Sequence, residues 1–138
     1  LFLDLNEKLD GIEKMVCDVE KRSPEMMEEY RSRITEKVEE LLGDKNIDER
    51  VLATELTIYA DKVCVDEETV RLHSHIKNMR DTLKLGDNIG RKLDFIAQEM
   101  NRESNTILSK ANDRALSNIA IDLKTEIEKV REQIQNIE

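Results

Sequence analysis

The sequence predicts an all-α protein of about six helices, an elongated bundle with a long antiparallel hairpin at its C-terminal end. Aromatic residues make up only 3% of the 138 residues, there is one proline, and charged residues reach 38%. Sheets favour aromatic and β-branched residues with turn glycines, whereas long helices carry extensive charged faces. The composition therefore favours helices whose core is built from Leu, Ile, Val, Met and Ala.

The first two helices are predicted on either side of Ser23. The apolar residues of residues 1–22 recur at steps of four and three, which keeps one stripe facing a partner: Leu5, Leu9, Ile12, Val16 and Val19. Ser23 and Pro24 suggest a new start, because serine caps a helix and proline suits the first helical position. Gly43 is placed to end this second helix in a left-handed conformation.

The next three helices are delimited by caps and glycines. Asp48 is the expected cap of the third helix, Asp66 caps the fourth, and Gly86 ends it. The fifth is predicted from about Ile89 to about Leu108, and a polar hinge over residues 109–113 follows it.

The last helix has the cleanest apolar spacing in the chain. Its apolar residues step by four and three through three heptads, which is long enough to pair with a helix of the same chain or of a neighbour. These residues are Leu116, Ala120, Leu123, Ile127, Val130, Ile134 and Ile137.

Charge is distributed unevenly along the chain, whose net charge is −9. Residues 1–70 hold 10 Lys and Arg against 20 Asp and Glu, whereas residues 71–114 hold 9 against 6. We expect a single helical domain over residues 1–138, with an acidic helical region at 1–66 and a functional region at 67–138. Because the chain begins with Leu1, we expect it to be part of a longer protein.

Cysteines and hydropathy limit the cellular setting. Cys17 and Cys64 are expected to be buried free thiols, because free cysteine is commonly buried and no secretory signature accompanies them. No apolar run approaches the ~18 residues needed to cross a bilayer. A cytoplasmic location without a membrane partner is the resulting expectation.

The polar side of the fifth helix is the first candidate for chemistry. Arg, Asp, Gln and Asn residues lie roughly in line there at steps of three and four, and two glutamates occupy the adjoining flank. This mixture can hold a phosphodiester or orient water around a metal, or it can form a buried polar network between helices. The residues are Arg91, Asp94, Gln98, Arg102 and Asn105, with Glu99 and Glu103 on the flank.

The fourth helix supplies a second candidate group. Glu68, Arg71 and His75 share one face, and carboxylate with imidazole can bind a divalent metal or transfer protons. A plain salt-bridged helix is the alternative. No P-loop, zinc-ligand spacing or nucleophile-and-base motif occurs, so hydrolysis driven by a metal and carboxylates best fits the residues present.

Taken together, these segments resemble a known family. Gly90–Phe95, Gln98–Glu103 and Asn105–Thr106 closely resemble the C-terminal signature of the bacterial YicC (YloC-like) endoribonuclease family. The hinge residues Ser109 and Lys110 match as well, and Asp66–Glu68, Arg71–Leu72 and Ser74–His75 resemble the family's acidic-to-histidine helix. The ending matches at Lys124, Glu128, Arg131–Gln133 and Gln135–Glu138. Two departures are Ser104 and Leu108, where the family usually has Ala and Gly.

The resemblance implies the C-terminal helical half of a metal-assisted endoribonuclease that cleaves phosphodiester bonds in RNA. It also implies a divalent cofactor (Mn²⁺ or Mg²⁺), a separate N-terminal domain, and a homo-oligomer, with a hexamer expected for the full-length protein. The expected catalytic residues are His75, Glu99, Arg102 and Glu103, and the expected metal ligands are Glu68, Glu99 and Glu103. The expected RNA-binding residues are Arg71, Arg91, Lys92, Gln98, Asn101, Asn105 and Lys110.

Two other functions remain open at this point. The chain can be a non-catalytic helical oligomerisation module whose missing N-terminal domain binds RNA. It can also be a structural coiled-coil adaptor with no role in nucleic-acid metabolism.

Overall fold

The computed structural model describes residues 2–43 and 48–137, and all the regular secondary structure in these ranges is α-helical. The helices are α1 (Phe2–Leu42), α2 (Glu49–Val63), α3 (Asp66–Leu83), α4 (Gly90–Lys110) and α5 (Arg114–Gln135). The all-α prediction is confirmed, but the predicted number of about six helices is wrong, since the described ranges hold five. None of these helices is long and apolar enough to cross a membrane.

Four of the helices form an antiparallel bundle. α4 packs between α3 and α5, and the first half of α1 closes the ring by packing against α3 and α5. Cross-helix pairs show the directions: Arg71 contacts Glu103 between α3 and α4, and Arg131 contacts Asp94 between α5 and α4. The long C-terminal hairpin predicted from the sequence is therefore α4 with α5.

The predicted apolar stripes form the core of this bundle. The five stripe residues of α1, from Leu5 to Val19, are fully buried, as are the α5 residues from Leu116 to Val130 that follow the heptad spacing. Burial of each large aliphatic side chain stabilises the fold by about 1.5–3 kcal/mol. Apolar periodicity was thus sufficient to identify which face of each bundle helix is buried.

α1 does not break at Ser23 and Pro24 as predicted, but runs continuously from Phe2 to Leu42 with Pro24 inside it. Proline has no backbone N–H to donate to the preceding turn, and its presence in a helix interior costs about 3 kcal/mol. Packing on both sides offsets this cost, because Val19 and Met26 are both buried. The Ser23 hydroxyl donates to the carbonyl of Val19 instead of capping a new helix.

Helix ends were predicted with mixed success. Asp48 caps α2 by accepting from the backbone N–H of Arg50, and Gly43 adopts positive φ, both as predicted; Gly86 also has positive φ. Asp66, however, is the first residue of α3, and Val65 occupies the cap position. The predicted hinge is also shorter than expected, because α4 continues through Leu108, which packs against the core, to Lys110.

α2 and the second half of α1 form a hairpin that extends beyond the bundle. The rings of Tyr30 and Tyr59 stack in it with centroids 3.7 Å apart and an interplanar angle of 1°. Towards its tip, Leu41 and Val51 are exposed. The apolar spacing in the second half of α1 therefore indicates a small contact between two helices, α1 and α2.

The cysteines were predicted to be buried, and this prediction is wrong: Cys17 and Cys64 are both exposed free thiols. On α1 the adjacent Val16 is fully buried, so the 100° turn to the next residue places Cys17 outside the core stripe. Cys64 follows α2, where the chain leaves the helix.

An ion pair joins α1 to the beginning of α5. The guanidinium of Arg22 donates to both carboxylate oxygens of Asp113, at 2.9 and 2.8 Å. Asp113 also caps α5 by accepting from the backbone N–H of Leu116 at 2.9 Å. The hydrogen bond from Arg22 and the cap hold the pKa of Asp113 below its ordinary value.

Replacing Asp113 by alanine is expected to lower the free energy of unfolding at pH 7 by about 2 kcal/mol, since it removes a cap and a bidentate charge pair. Asp113→Asn should cost less, because asparagine keeps a capping oxygen. The matched variant Asp48→Ala removes only a cap and should cost about 1 kcal/mol.

Acid titration checks the charge contribution of Asp113. Because folding lowers the pKa of this carboxyl, its stabilisation is fully present above the ordinary pKa of 3.8 and is lost as the pH falls through the folded value. Urea unfolding of wild type and Asp113→Asn should therefore differ equally from pH 7 down to about pH 4 and converge below it. A constant difference down to pH 2 would contradict this account.

Candidate functional site

Four charged residues meet where the first turn of α3 lies against the last turns of α4. The Arg71 Nε donates to Glu103 at 2.6 Å, and its Nη2 donates to Glu68 at 3.4 Å. The Lys110 Nζ donates to both oxygens of Glu68, at 3.1 and 3.3 Å. We refer to Glu68, Arg71, Glu103 and Lys110 as the charge cluster.

The carboxylates of the charge cluster are buried, whereas its cations reach solvent. The side chains of Glu68 and Glu103 are 3% and 8% exposed, against 48% for Arg71 and 35% for Lys110. Buried carboxylates need charged partners because removal from water penalises the ionised form. The hydrogen bond to Glu103 correspondingly raises the pKa of Arg71 above its ordinary value.

Local helix geometry places these charges where they meet. Glu68 lies in the first turn of α3, whose free N–H groups favour a negative charge, and Lys110 lies in the last turn of α4, whose free carbonyls favour a positive one. The antiparallel packing of the two helices brings these ends together. Lys110 also donates to the carbonyl of Cys64 at 3.1 Å, which ties the α2–α3 junction to α4.

A row of exposed side chains follows the outer face of α4. These residues recur at steps of four and three, so they form one line on the helix surface. We call this row the α4 ridge: Arg91, Phe95, Gln98, Arg102 and Asn105. Phe95 is 63% exposed, and Lys92 is exposed beside the row.

The other flank of α4 contacts α5. Asp94 accepts from Arg131 at 3.3 Å and from Gln98 at 2.9 Å, so it links the α4 ridge to α5. Asn101 is partly buried, and its side-chain oxygen has no hydrogen-bond partner within the described ranges. The polar residues of α4 therefore lie on three faces of the helix: one towards α3, one towards α5 and one exposed to solvent.

Comparison with known sequences decides the family. The sequence profile described as "Endoribonuclease YicC-like, C-terminal" matches residues 19–138. The chain belongs to the YicC-like endoribonuclease family. The match confirms the resemblance drawn from the residues around Gly90 to Thr106, and it covers most of the bundle and the hairpin of α1 and α2.

Two relatives of this YicC-like chain carry the same name. The protein "Probable endoribonuclease YicC" of Clostridioides difficile (strain 630) is 46% identical over 136 residues, which are 98% of this chain and 46% of that protein. The protein of that name from Haemophilus influenzae is 37% identical over 134 residues, 97% of this chain and 46% of its own length. The YicC-like chain thus spans about half the length of these relatives.

The structure brings together part of the predicted site of the YicC-like chain. Glu68 and Arg71, predicted on the fourth helix, contact Glu103 from the fifth predicted helix and Lys110 from the predicted hinge. His75 lies one turn beyond Arg71 and is half-buried, and no hydrogen bond or ion pair involves its ring within residues 2–43 and 48–137.

The remaining predicted catalytic residues are less closely joined. Arg102 approaches Glu99 only at 3.9 Å, along the surface of α4. Glu99 is half-buried one turn before Glu103, on the flank of α4 that adjoins α3. The predicted RNA-binding residues Arg71 and Lys110 are engaged with carboxylates, in contrast to the exposed Arg91 and Lys92.

The predicted metal ligands do not form a ready-made trio. Within the described ranges, one group of three His, Cys, Asp or Glu residues has all its ligand atoms within 4.8 Å of one another, and Glu68, Glu99 and Glu103 are not that group. Arg71 and Lys110 instead neutralise two of the three carboxylates. Helix spacing predicted shared faces, but it carried no information on the distance between helices.

Sequence reasoning left two contributors out of the site of this YicC-like chain. Phe95 was not assigned to it, although its four-residue step from Arg91 places it on the α4 ridge. Glu67, 84% exposed, approaches Arg71 at 3.5 Å and adds a third carboxylate to that guanidinium. The spacing of four residues between Glu67 and Arg71 was the available signal for this pair.

Proposed function

We propose that this chain is the RNA-binding and catalytic part of an endoribonuclease that cleaves phosphodiester bonds in RNA. The observation that carries the proposal is the position of the α4 ridge on the same helix as Glu103 and Lys110 of the charge cluster. Ridge and cluster together offer cations, amides, an exposed aromatic ring and carboxylates along one helix. RNA and further copies of the chain are the proposed partners.

The α4 ridge supplies the groups that single-stranded RNA needs. Arg91 and Arg102 can donate paired hydrogen bonds to phosphate oxygens. Between them, the exposed ring of Phe95 offers a face on which a base can stack, and base–aromatic stacking contributes about 1–3 kcal/mol. Gln98 and Asn105 can both donate to and accept from base edges.

Cleavage places negative charge on the phosphate oxygens, and the half-exposed guanidinium of Arg71 is the cluster group best able to stabilise that charge. His75, one turn further along α3, is proposed to transfer the proton to or from a reacting oxygen. Glu99, one turn from Glu103 on the flank that adjoins α3, is proposed to orient this imidazole or accept its proton.

The proposal includes a divalent metal, Mn²⁺ or Mg²⁺, at the carboxylates. Glu68 and Glu103 both accept from Arg71, so one ion could reach both carboxylates by taking the place of the bonds from Arg71 and Lys110. Carboxylate oxygens are the ligands that these hard ions prefer. Glu68 and Glu103 would hold the ion, which when bound stabilises charge on phosphate and activates water.

The α4 ridge is tested in the full-length protein with the double variant Arg91→Ala, Arg102→Ala. Single-stranded RNA should bind about tenfold to a hundredfold more weakly at low salt, because two charged phosphate contacts are lost. The plot of log affinity against log salt should flatten by about 1.4, at 0.7 per phosphate contact. Phe95→Ala should weaken binding about tenfold without changing this slope.

The matched control is Arg50→Ala with Arg114→Ala. These two arginines are also exposed, but they lie on other helices, so the variant loses the same charge away from the α4 ridge. Fluorescence anisotropy with one labelled RNA measures all variants. If the control pair weakens binding as much as the ridge pair, binding depends on total charge and the ridge proposal fails.

A second function, an assembly module, is favoured by the apolar tip of the hairpin. Leu41 and Val51 are 77% and 64% exposed there, so both aliphatic side chains are accessible to a partner. The two functions are separated by RNA cleavage assays on this chain and on the full-length protein, each with Mn²⁺, Mg²⁺ or EDTA. Cleavage by the full-length protein, with neither binding nor cleavage by this chain alone, would favour assembly.

A further inference from the structure

A second group of potential ligands lies on the opposite side of α3, away from the charge cluster. Cys17 and Glu20 are three residues apart on α1, and His73 faces them from α3. The Cys17 sulfur, a Glu20 carboxylate oxygen and a His73 ring nitrogen all lie within 4.8 Å of one another. Within the described ranges, these are the only three His, Cys, Asp or Glu residues that satisfy this criterion.

The donor types identify the class of ion. Thiolate, imidazole and carboxylate are the ligands of zinc and related divalent transition metals, whereas Mg²⁺ and Ca²⁺ prefer oxygen alone. With zinc bonds of ~2.0–2.3 Å, tetrahedral ligands stand about 3.3–3.8 Å apart. Side-chain adjustments of about an ångström would therefore bring the three atoms to a single ion.

Glu13 lies beside this group, one turn before Cys17 on α1. Its carboxylate lies 3.7 Å from His73 Nδ1, while His73 Nε2 lies 2.9 Å from Glu20. A histidine that binds a metal commonly donates its other ring nitrogen to a carboxylate, which fixes the tautomer and the ring orientation. Glu13 is placed for that role and leaves Nε2 for the ion.

The electrostatic field at this position also favours a cation. The carboxylates of Glu20, Glu13 and Asp18 lie close enough to the Cys17 thiol to act on it electrostatically. The same negative charges attract a divalent ion, which stabilises the thiolate and releases its proton on binding. Cys17 and Glu20 are exposed, so an ion can enter from solvent.

We propose that Cys17, Glu20 and His73 bind a zinc-class divalent transition metal that fastens α1 to α3. Three protein ligands leave a fourth position for water. The site takes a softer ion than the Mn²⁺ or Mg²⁺ proposed for Glu68 and Glu103, and it shares no residue with them. Its function is independent of RNA cleavage.

Titration of the full-length protein with Co²⁺ tests the site, because Co²⁺ reports both ligand type and geometry. Wild type should develop a thiolate-to-cobalt charge-transfer band in the near ultraviolet and visible bands typical of tetrahedral coordination. Cys17→Ser should lose the charge-transfer band, and His73→Gln should weaken binding. Glu13→Gln should keep the band and lower affinity about 10- to 100-fold, as a change next to a ligand does.

The matched control is Cys64→Ser, which removes the other exposed cysteine and leaves the group intact. This variant should keep the wild-type band and affinity. Zinc should also raise the melting temperature of wild type and Cys64→Ser but not of Cys17→Ser, since an ion that binds only the folded state stabilises it. Circular dichroism confirms that each variant is folded.

Two results would overturn the proposal: wild type without a charge-transfer band, or a band that persists in Cys17→Ser and disappears in Cys64→Ser. The first would leave His73 as an ion-pair partner of Glu13 and Glu20. The second would locate thiol coordination outside this group. Absorbance is measured without RNA, so both results can be interpreted even if the nuclease proposal fails.

Discussion

Replacing His75 by alanine is expected to slow RNA cleavage by the full-length protein about 10²- to 10⁴-fold, the usual loss when a general acid–base group is removed. Its ring is half-buried one turn from Arg71, and no hydrogen bond holds it within the described ranges. An imidazole free of structural partners can exchange protons with a bound substrate. Glu99→Gln is expected to cause a loss of the same order.

Folding must be separated from chemistry in this experiment. Lys77→Ala is the control, because Lys77 is exposed on the same helix and pairs with Asp81 at the surface. It should cleave RNA at the wild-type rate. Added imidazole should restore part of the activity of His75→Ala but not of Glu99→Gln. Wild-type cleavage by both variants would show that the site has been assigned to the wrong residues.

Replacing Lys110 by methionine is expected to lower the free energy of unfolding by about 2–3 kcal/mol. The change keeps most of the apolar length, but among residues 2–43 and 48–137 it leaves the buried carboxylate of Glu68 with one partner, Arg71, at 3.4 Å. Removing one partner of a buried pair leaves the other charge out of water and costs about 3–5 kcal/mol, and the partial exposure of Lys110 brings the expected cost just below that range. Urea unfolding measures it.

Lys129→Met provides a matched comparison. Lys129 Nζ lies 3.1 Å from Glu126, the same distance as from Lys110 to Glu68, but Glu126 is 27% exposed and Glu68 only 3%. A surface pair of this kind contributes 0–1 kcal/mol. Neutralising the stranded acid with Glu68→Gln should recover most of the stability lost in Lys110→Met. Equal losses of unfolding free energy in Lys110→Met and Lys129→Met would mean that burial of the carboxylate does not determine how much the ion pair contributes.

Apolar periodicity predicted the bundle well because it depends on short-range spacing. The stripes of α1 and α5 were identified residue by residue, and the α4–α5 hairpin followed from them. Pro24 was misread for the opposite reason: its local preference for a helix start is outweighed by packing of Val19 and Met26, which no local pattern reports. Tertiary contacts override a propensity of about 3 kcal/mol here.

The candidate site was predicted in composition but not in arrangement. Shared helix faces indicated that Glu68 and Arg71 belong together, and the family resemblance pointed to the residues of α4. The pairing of Arg71 with Glu103 and of Lys110 with Glu68 depends on how α3 and α4 are aligned, which spacing within one helix cannot specify. The Cys17 group was not predicted because His73 lies 56 residues from Cys17 in the sequence.

The uninterrupted course of α1 through Pro24 makes the hairpin mechanically continuous with the bundle. At 1.5 Å per residue, its 41 residues span about 60 Å, with the tip at one end and the core stripe at the other. A flexible joint at Ser23 would let the tip swing freely. The continuous helix instead joins the tip through a single element to Arg22 and its pair with Asp113.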